Sequence, residues 1–182
     1  MSKIQLFENN SEIGAGTRGA SLGIDALKIA AYNSNSNFFK KFDSKIIPTK
    51  NNTLDQEVKF PKAKRIDSII EVCSSVSFHV SGALKKHQFP FLLSSDHSNA
   101  IGTIAGIKAA NPSLRLGVIW IDAHADLHSP YTTPTGNVHG MSLMASLNQD
   151  NSERRVHELD HLTNQQWEKL KKIDNIYPKI HP

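Results

Sequence analysis

Five titratable side chains in two short clusters carry most of the chemistry this sequence could perform. Asp122-Ala123-His124-Ala125-Asp126 alternates acids and an imidazole with alanines, and Asp96-His97-Ser98 stands upstream of it. In extended chain, residues two apart face one side, so Asp122, His124 and Asp126 are expected to converge on one point. Carboxylates mixed with imidazoles, and with no thiolate nearby, make a hard-to-borderline donor set. That set favours Mn²⁺, with Zn²⁺ and Fe²⁺ as competitors, over a structural zinc. The bland alternative treats Asp122 and His124 as loop caps after a strand. It would suit a lone histidine, but five such groups would then be desolvated for nothing.

The elements that must position these clusters are legible from apolar spacing. Phe89 to Leu93 is an apolar run of strand length, and Asp96 and His97 follow its carboxyl end. Leu116 to Ile121 is a continuous apolar run that ends at Asp122, read as a second buried strand of a parallel sheet covered on both faces. Between them, Ser98 to Ala110 has helical spacing and stops at Asn111-Pro112. Strand, helix, strand is a βαβ unit, and ligands of open α/β sheets bind at carboxyl strand ends. Upstream, Ile66, Ile69, Ile70, Cys73, Val76, Val80 and Leu84 predict an amphipathic helix of about five turns. Residues 3–7 suit an opening strand, and Leu22 to Ala31 a helix. Residues 33–61, rich in Asn, Lys and Ser, read mostly as loop, an insert in a single α/β domain spanning 1–182. Near the end, Thr163-Asn164-Gln165-Gln166 reads as a capping box opening a helix that runs to about Ile173. The sequence then finishes where a further strand is expected, so the sheet reads as incomplete at its C-terminus.

Composition excludes several function classes. With 38% hydrophobic and 21% charged residues the chain is globular in character. No run approaches the roughly 18–20 apolar residues of a membrane span. One cysteine, Cys73, allows no internal disulfide, and the opening residues lack signal-peptide order, so the cytoplasm is the expected compartment. The net charge of +4 is spread along the chain without an aromatic-interleaved basic patch, which argues against nucleic acid as a partner.

Two further motifs compete. Gly14, Gly16 and Gly19 spell G-x-G-x-x-G, but no strand runs directly into the first glycine, so the stretch reads as a flexible turn before a helix. His157-Glu158-Leu159-Asp160-His161 formally matches H-E-x-x-H. That motif needs both histidines on one helix, whereas a new helix is expected to begin just after His161; Glu168 and His181 are the only downstream candidates for a third ligand.

Three ordered motifs carry a resemblance to a known family. Ser94-Ser95-Asp96-His97-Ser98, Trp120-Ile121-Asp122-Ala123-His124-Ala125-Asp126 and Thr135-Gly136-Asn137-Val138-His139-Gly140 resemble those of the arginase (ureohydrolase) family. The third is closer to the arginase branch than to agmatinases or formimidoylglutamases. The resemblance implies a three-layer α/β/α parallel-sheet domain with a binuclear manganese site. It implies His97, Asp122 and Asp126 around one Mn²⁺, with His124 and the bridging Asp122 at the other. It also implies hydrolysis of the guanidino C–N bond of L-arginine to ornithine and urea, by attack of a hydroxide bridging the two metals. His139 matches the family's proton shuttle or general acid, a role suited to imidazole. Thr135 and Asn137 match positions that hold the α-carboxylate and amino end of the small-molecule substrate, although both also suit a plain turn. His128 falls where arginases more often carry asparagine. Relatives commonly form trimers or hexamers, so a homo-oligomer is open.

The sequence also departs from the family pattern. Ser94-Ser95 replaces glycines, and Ser142 stands where proline is common. No Asp-x-Asp follows residue 126, whereas complete family members supply one. Two divalent ions bring +4 against −2 from Asp122 and Asp126, so one well-held metal is expected. Three readings follow: an arginase-type enzyme represented by its N-terminal portion, a hydrolase of another guanidino or amidino compound, and a truncated non-catalytic remnant.

Overall fold

The computed structural model describes residues 3–173. Residues 177–182, where a further strand is expected, lie outside them, as does His181. Three parallel strands form the sheet in the order β2-β1-β3, with β1 at Ile4–Asn9, β2 at Ser44–Ile46 and β3 at Phe89–Ser94. β1 pairs with β3 from Ile4↔Phe89 to Asn9↔Ser94, so the two strands finish level. Asn9 fastens that end. Its amide donates to the carbonyls of Ile47 (3.1 Å) and Pro48 (3.2 Å), and its Oδ1 accepts from Asn99 at 2.8 Å.

The helices are α1 (Gly23–Asn33), α2 (Phe38–Lys41), α3 (Ile66–Lys85), α4 (Asn99–Ala110), α5 (Ser142–Ser146) and α6 (His161–Leu170). Alternation along β1 sets the layers. Phe7 packs with Val76, Val80 and Ala83 of α3 on one face, while Glu8, pointing the other way, pairs with Lys28 of α1 at 2.6 Å. The sheet is therefore sandwiched between helices, as the three-layer expectation requires. α3 and α4 are pressed together at two glycines. A Cβ on Gly102 would meet the Cys73 carbonyl at 2.4 Å, and one on Gly106 the Ser77 carbonyl at 2.6 Å. The main core lies beyond this contact, where Ile66, Ile69, Val72 and Ile101 meet Met141, Met144, Trp167 and Leu170. None of the helices among the described residues is long and apolar enough to cross a membrane.

Several expected elements differ from those observed. Leu116 to Ile121 is not a strand: it runs unpaired, with Ile119 90% and Ile121 93% exposed. A continuous apolar run signals burial on two faces, and no element among the described residues covers it or bonds its backbone. Residues 33–61 are largely irregular but also supply α2 and the edge strand β2. The last helix begins earlier than the capping box suggests. Its N-cap is Asp160, whose carboxylate accepts from the Thr163 N–H (2.8 Å) and hydroxyl (2.5 Å). His157 consequently stands outside the helix that His161 opens, so no single helix carries both histidines.

Candidate metal centre

His97 lies three residues past the end of β3, and the level finish of β1 and β3 puts it at the carboxyl edge of the sheet. Its neighbour Asp96 faces inward. Asp96 accepts from the backbone N–H of Gly14 (2.7 Å) and of Ser98 (2.8 Å), and from the Ser98 hydroxyl (2.5 Å). Both its oxygens are thus committed to structure, holding the turn that leads His97 into α4.

Asp122 and Asp126 reach His97 by a tight turn rather than by the extended alternation expected. The His124 N–H donates to Asp122 Oδ1 at 2.8 Å, and Asp126 has φ of 50°, in the left-handed region. The Asp126 carbonyl accepts from Leu143 and Met144 of α5, both at 3.1 Å, which fixes this strained residue. His97 Nδ1 then stands 2.9 Å from Asp122 Oδ2 and 2.9 Å from Asp126 Oδ2. Ligand atoms of the three residues all fall within 4.8 Å of one another. His124 joins less closely, with Nδ1 3.5 Å from Asp122 Oδ1 and its side chain 85% exposed.

The electrostatics of the pair differ. Asp122 is held below the ordinary carboxylate value, chiefly by the His124 backbone N–H, which outweighs the opposing effect of burial, with His97 adding a lesser lowering. Asp126, only 8% exposed, is pushed above that value by burial, with His97 acting in the opposite sense. Its Oδ2 is buried without a hydrogen-bond partner among the described residues. A buried carboxylate oxygen that meets an imidazole nitrogen at 2.9 Å without a hydrogen bond, beside a second carboxylate, is what a cation would satisfy. The spacing agrees, since adjacent ligands of an octahedral ion bound at about 2.1 Å lie roughly 3 Å apart. These residues fit a divalent metal ion.

The trio lines one wall of a cleft of about 820 Å³. His128, Thr135, Asn137 and His139 line it too, so every candidate site residue reaches the same space. His139 lies on the turn Val138–Met141. Its N–H donates to the Gly14 carbonyl at 3.2 Å, and its own carbonyl accepts from Ser142 Oγ at 2.8 Å. The His128 ring is 3.3 Å from Thr132 Oγ1. Asn137 spends its amide on the Ala15 carbonyl (2.9 Å), and Thr135 Oγ1 accepts from the Asn137 N–H (3.1 Å).

Three features of the site were not read from the sequence. The glycine stretch at 14–16 is a clamp, bonded at once to Asp96, Asn137 and His139. Gly14 has no room for a side chain, because a Cβ would come within 2.5 Å of Asp96 Oδ1 and Ser98 Oγ. Ser142, which stands where proline is common in the family, reaches the carbonyls of both His97 (3.1 Å) and His139 (2.8 Å). Arg154 also lines the cleft, and a lone arginine in a polar loop gave no sign of that.

Known proteins resemble this chain in sequence and in fold. The arginase of Bacillus caldovelox is 42% identical over 86 residues, which are 47% of this chain and 28% of that protein. The arginase of Saccharomyces cerevisiae is 42% identical over 91 residues, 49% of this chain and 27% of that protein. The crystal structure of the B. caldovelox enzyme aligns over 100% of this chain and 56% of its own, with a TM-score of 0.74 and 30% identity. The chain thus spans little more than half of that structure. The sequence profile of the arginase family matches residues 4–172, from the start of β1 past the end of α6, and on that match the chain belongs to the arginase family.

Proposed function

We propose that this chain carries the metal-binding wall and part of the substrate cleft of an arginase-type hydrolase, which cleaves L-arginine to ornithine and urea with Mn²⁺. The observation that supports it most is the contact of His97 Nδ1 with Asp122 and Asp126, at 2.9 Å each, on a fold shared with arginases. His97, Asp122 and Asp126 would hold one ion, and His124 with Asp122 would contribute to a second. Bound there, divalent ions make a nucleophile available from water at neutral pH, which the weakly electrophilic guanidinium carbon requires.

The chain's own residues supply the rest. Water oxygen adds to the guanidinium carbon and gives up both its protons in becoming the urea oxygen, one to solvent and one to replenish the proton that the departing nitrogen takes up as its bond to that carbon breaks. His139 supplies that proton from the cleft wall, where bonds to Gly14 and from Ser142 fix its backbone on both sides. Thr135 and His128 face the substrate's carboxylate end as hydrogen-bond donors, and Asn137 shapes that end through its bond to Ala15.

Urea release from L-arginine and from agmatine, measured in Mn²⁺ buffer, tests the proposal. Release from L-arginine that exceeds release from agmatine and falls at least about 100-fold in His139→Ala supports it. Equal release in wild type and His139→Ala, or release from agmatine alone, contradicts it. No release by a chain that binds Mn²⁺ assigns it a metal-holding role without catalysis.

A further inference from the structure

The metal pocket leans on a residue that neither the donor set nor the turn explains. From Pro112 to Ala125 every residue is exposed except Trp120. The Trp120 indole lies against the His97 imidazole with ring centroids 4.5 Å apart and an interplanar angle of 24°, a stacked pair. Its Nε1 is buried without a hydrogen-bond partner among the described residues, so the stack and not a hydrogen bond holds the ring. Ile119 and Ile121 on either side point into solvent.

Two consequences follow from this placement. An imidazole can turn about its bond to Cβ, and only one orientation aims Nδ1 at both carboxylates. A flat indole on its face removes that freedom. Asp122 is also carried by the exposed stretch two residues beyond Trp120, so the stack tethers the carboxylate along with the imidazole. We infer that Trp120 is a positioning residue of the metal pocket: it fixes the rotation of His97 and anchors the segment that delivers Asp122. The inference rests on the metal reading above and deepens it. Trp120 touches His97 and acts through it, by pre-organising donors before the ion arrives.

Two variants and two readouts test this on the full chain. Trp120→Phe keeps a flat ring, whereas Trp120→Leu keeps apolar bulk without one. In metal-free wild type, the ring protons of His97 are expected upfield of ordinary histidine positions in proton–carbon NMR spectra, because they lie over the indole face. That shift should survive in Trp120→Phe and vanish in Trp120→Leu. Mn²⁺ affinity, followed by electron paramagnetic resonance of the free ion, should fall about 10-fold in Trp120→Leu and recover most of its strength in Trp120→Phe. Absence of the upfield shift in wild type would overturn the stack. A shift present, with equal Mn²⁺ affinity in all three proteins, would overturn the positioning role alone and leave the metal reading intact. Failure of wild type to bind Mn²⁺ would overturn the metal reading and this role with it.

Discussion

Asp126 is where function and stability pull apart most clearly. Its carboxylate is buried, without a hydrogen bond at Oδ2 and held at a left-handed backbone position, none of which favours a metal-free fold. Burial raises its pKa above the ordinary 3.8, so the neutral form is the better tolerated one when no ion is present. The stability it contributes is therefore complete below 3.8 and is lost as pH rises through the elevated value. Asp126→Asn keeps the shape without the charge. The variant should melt higher than wild type at pH 7 in chelator, with the difference closing in acid, and should bind Mn²⁺ at least about 10-fold more weakly. Thermal melts across pH, with and without Mn²⁺, check both halves. A lower melting temperature in metal-free Asp126→Asn at pH 7 would contradict the assignment. Residue types and spacing made this cluster legible, since Asp122, His124 and Asp126 stand out in any reading. The bonds that support it were not legible, because the Gly14 clamp and the Ser142 hydroxyl act through backbone carbonyls and amides that side-chain identity does not advertise.

At the scale of elements, the helices were the easier part to read. Apolar spacing from Ile66 to Leu84 marks α3 closely, and the Asn111-Pro112 stop ends α4 where the structure does. Strands were harder for opposite reasons. Ser44–Ile46 is three exposed residues in a polar tract, joined to the sheet by backbone bonds alone, and has no apolar pattern to find. Leu116 to Ile121 has the pattern but no neighbouring element among the described residues to realise it. Asp160 took the cap because an ionised carboxylate accepts from both donors of Thr163, which a threonine cap could not do. The tightest constraint between elements is Gly102 on α4, whose position over the Cys73 carbonyl leaves no space for a methyl group. Gly102→Ala should force α4 away from α3 and destabilise the chain by about 1–3 kcal/mol, read from urea denaturation. His97 and Asn99 ride on the N-terminal end of α4, so the same variant should also weaken Mn²⁺ binding. An unchanged denaturation midpoint would show that the two helices are not in the contact described.

Viewed whole, the molecule concentrates its chemistry on one rim. β1 and β3 finish level, the 14–16 loop, the 122–128 turn and the 133–140 loop gather over that end, and all their candidate residues face one cleft. Ion supply is uneven across that rim. His97, Asp122 and Asp126 form a three-donor cluster, whereas His124 and the remaining Asp122 oxygen offer only two donors, one of them largely exposed. The decisive measurement is a Mn²⁺ titration of the chain, with free ion followed by electron paramagnetic resonance, in wild type, His97→Ala and Asp126→Asn. The structure predicts one saturable tight site in wild type that is lost or weakened at least about 10-fold in each variant. Two equivalent tight sites, no saturable binding, or a wild-type curve retained in both variants would contradict it.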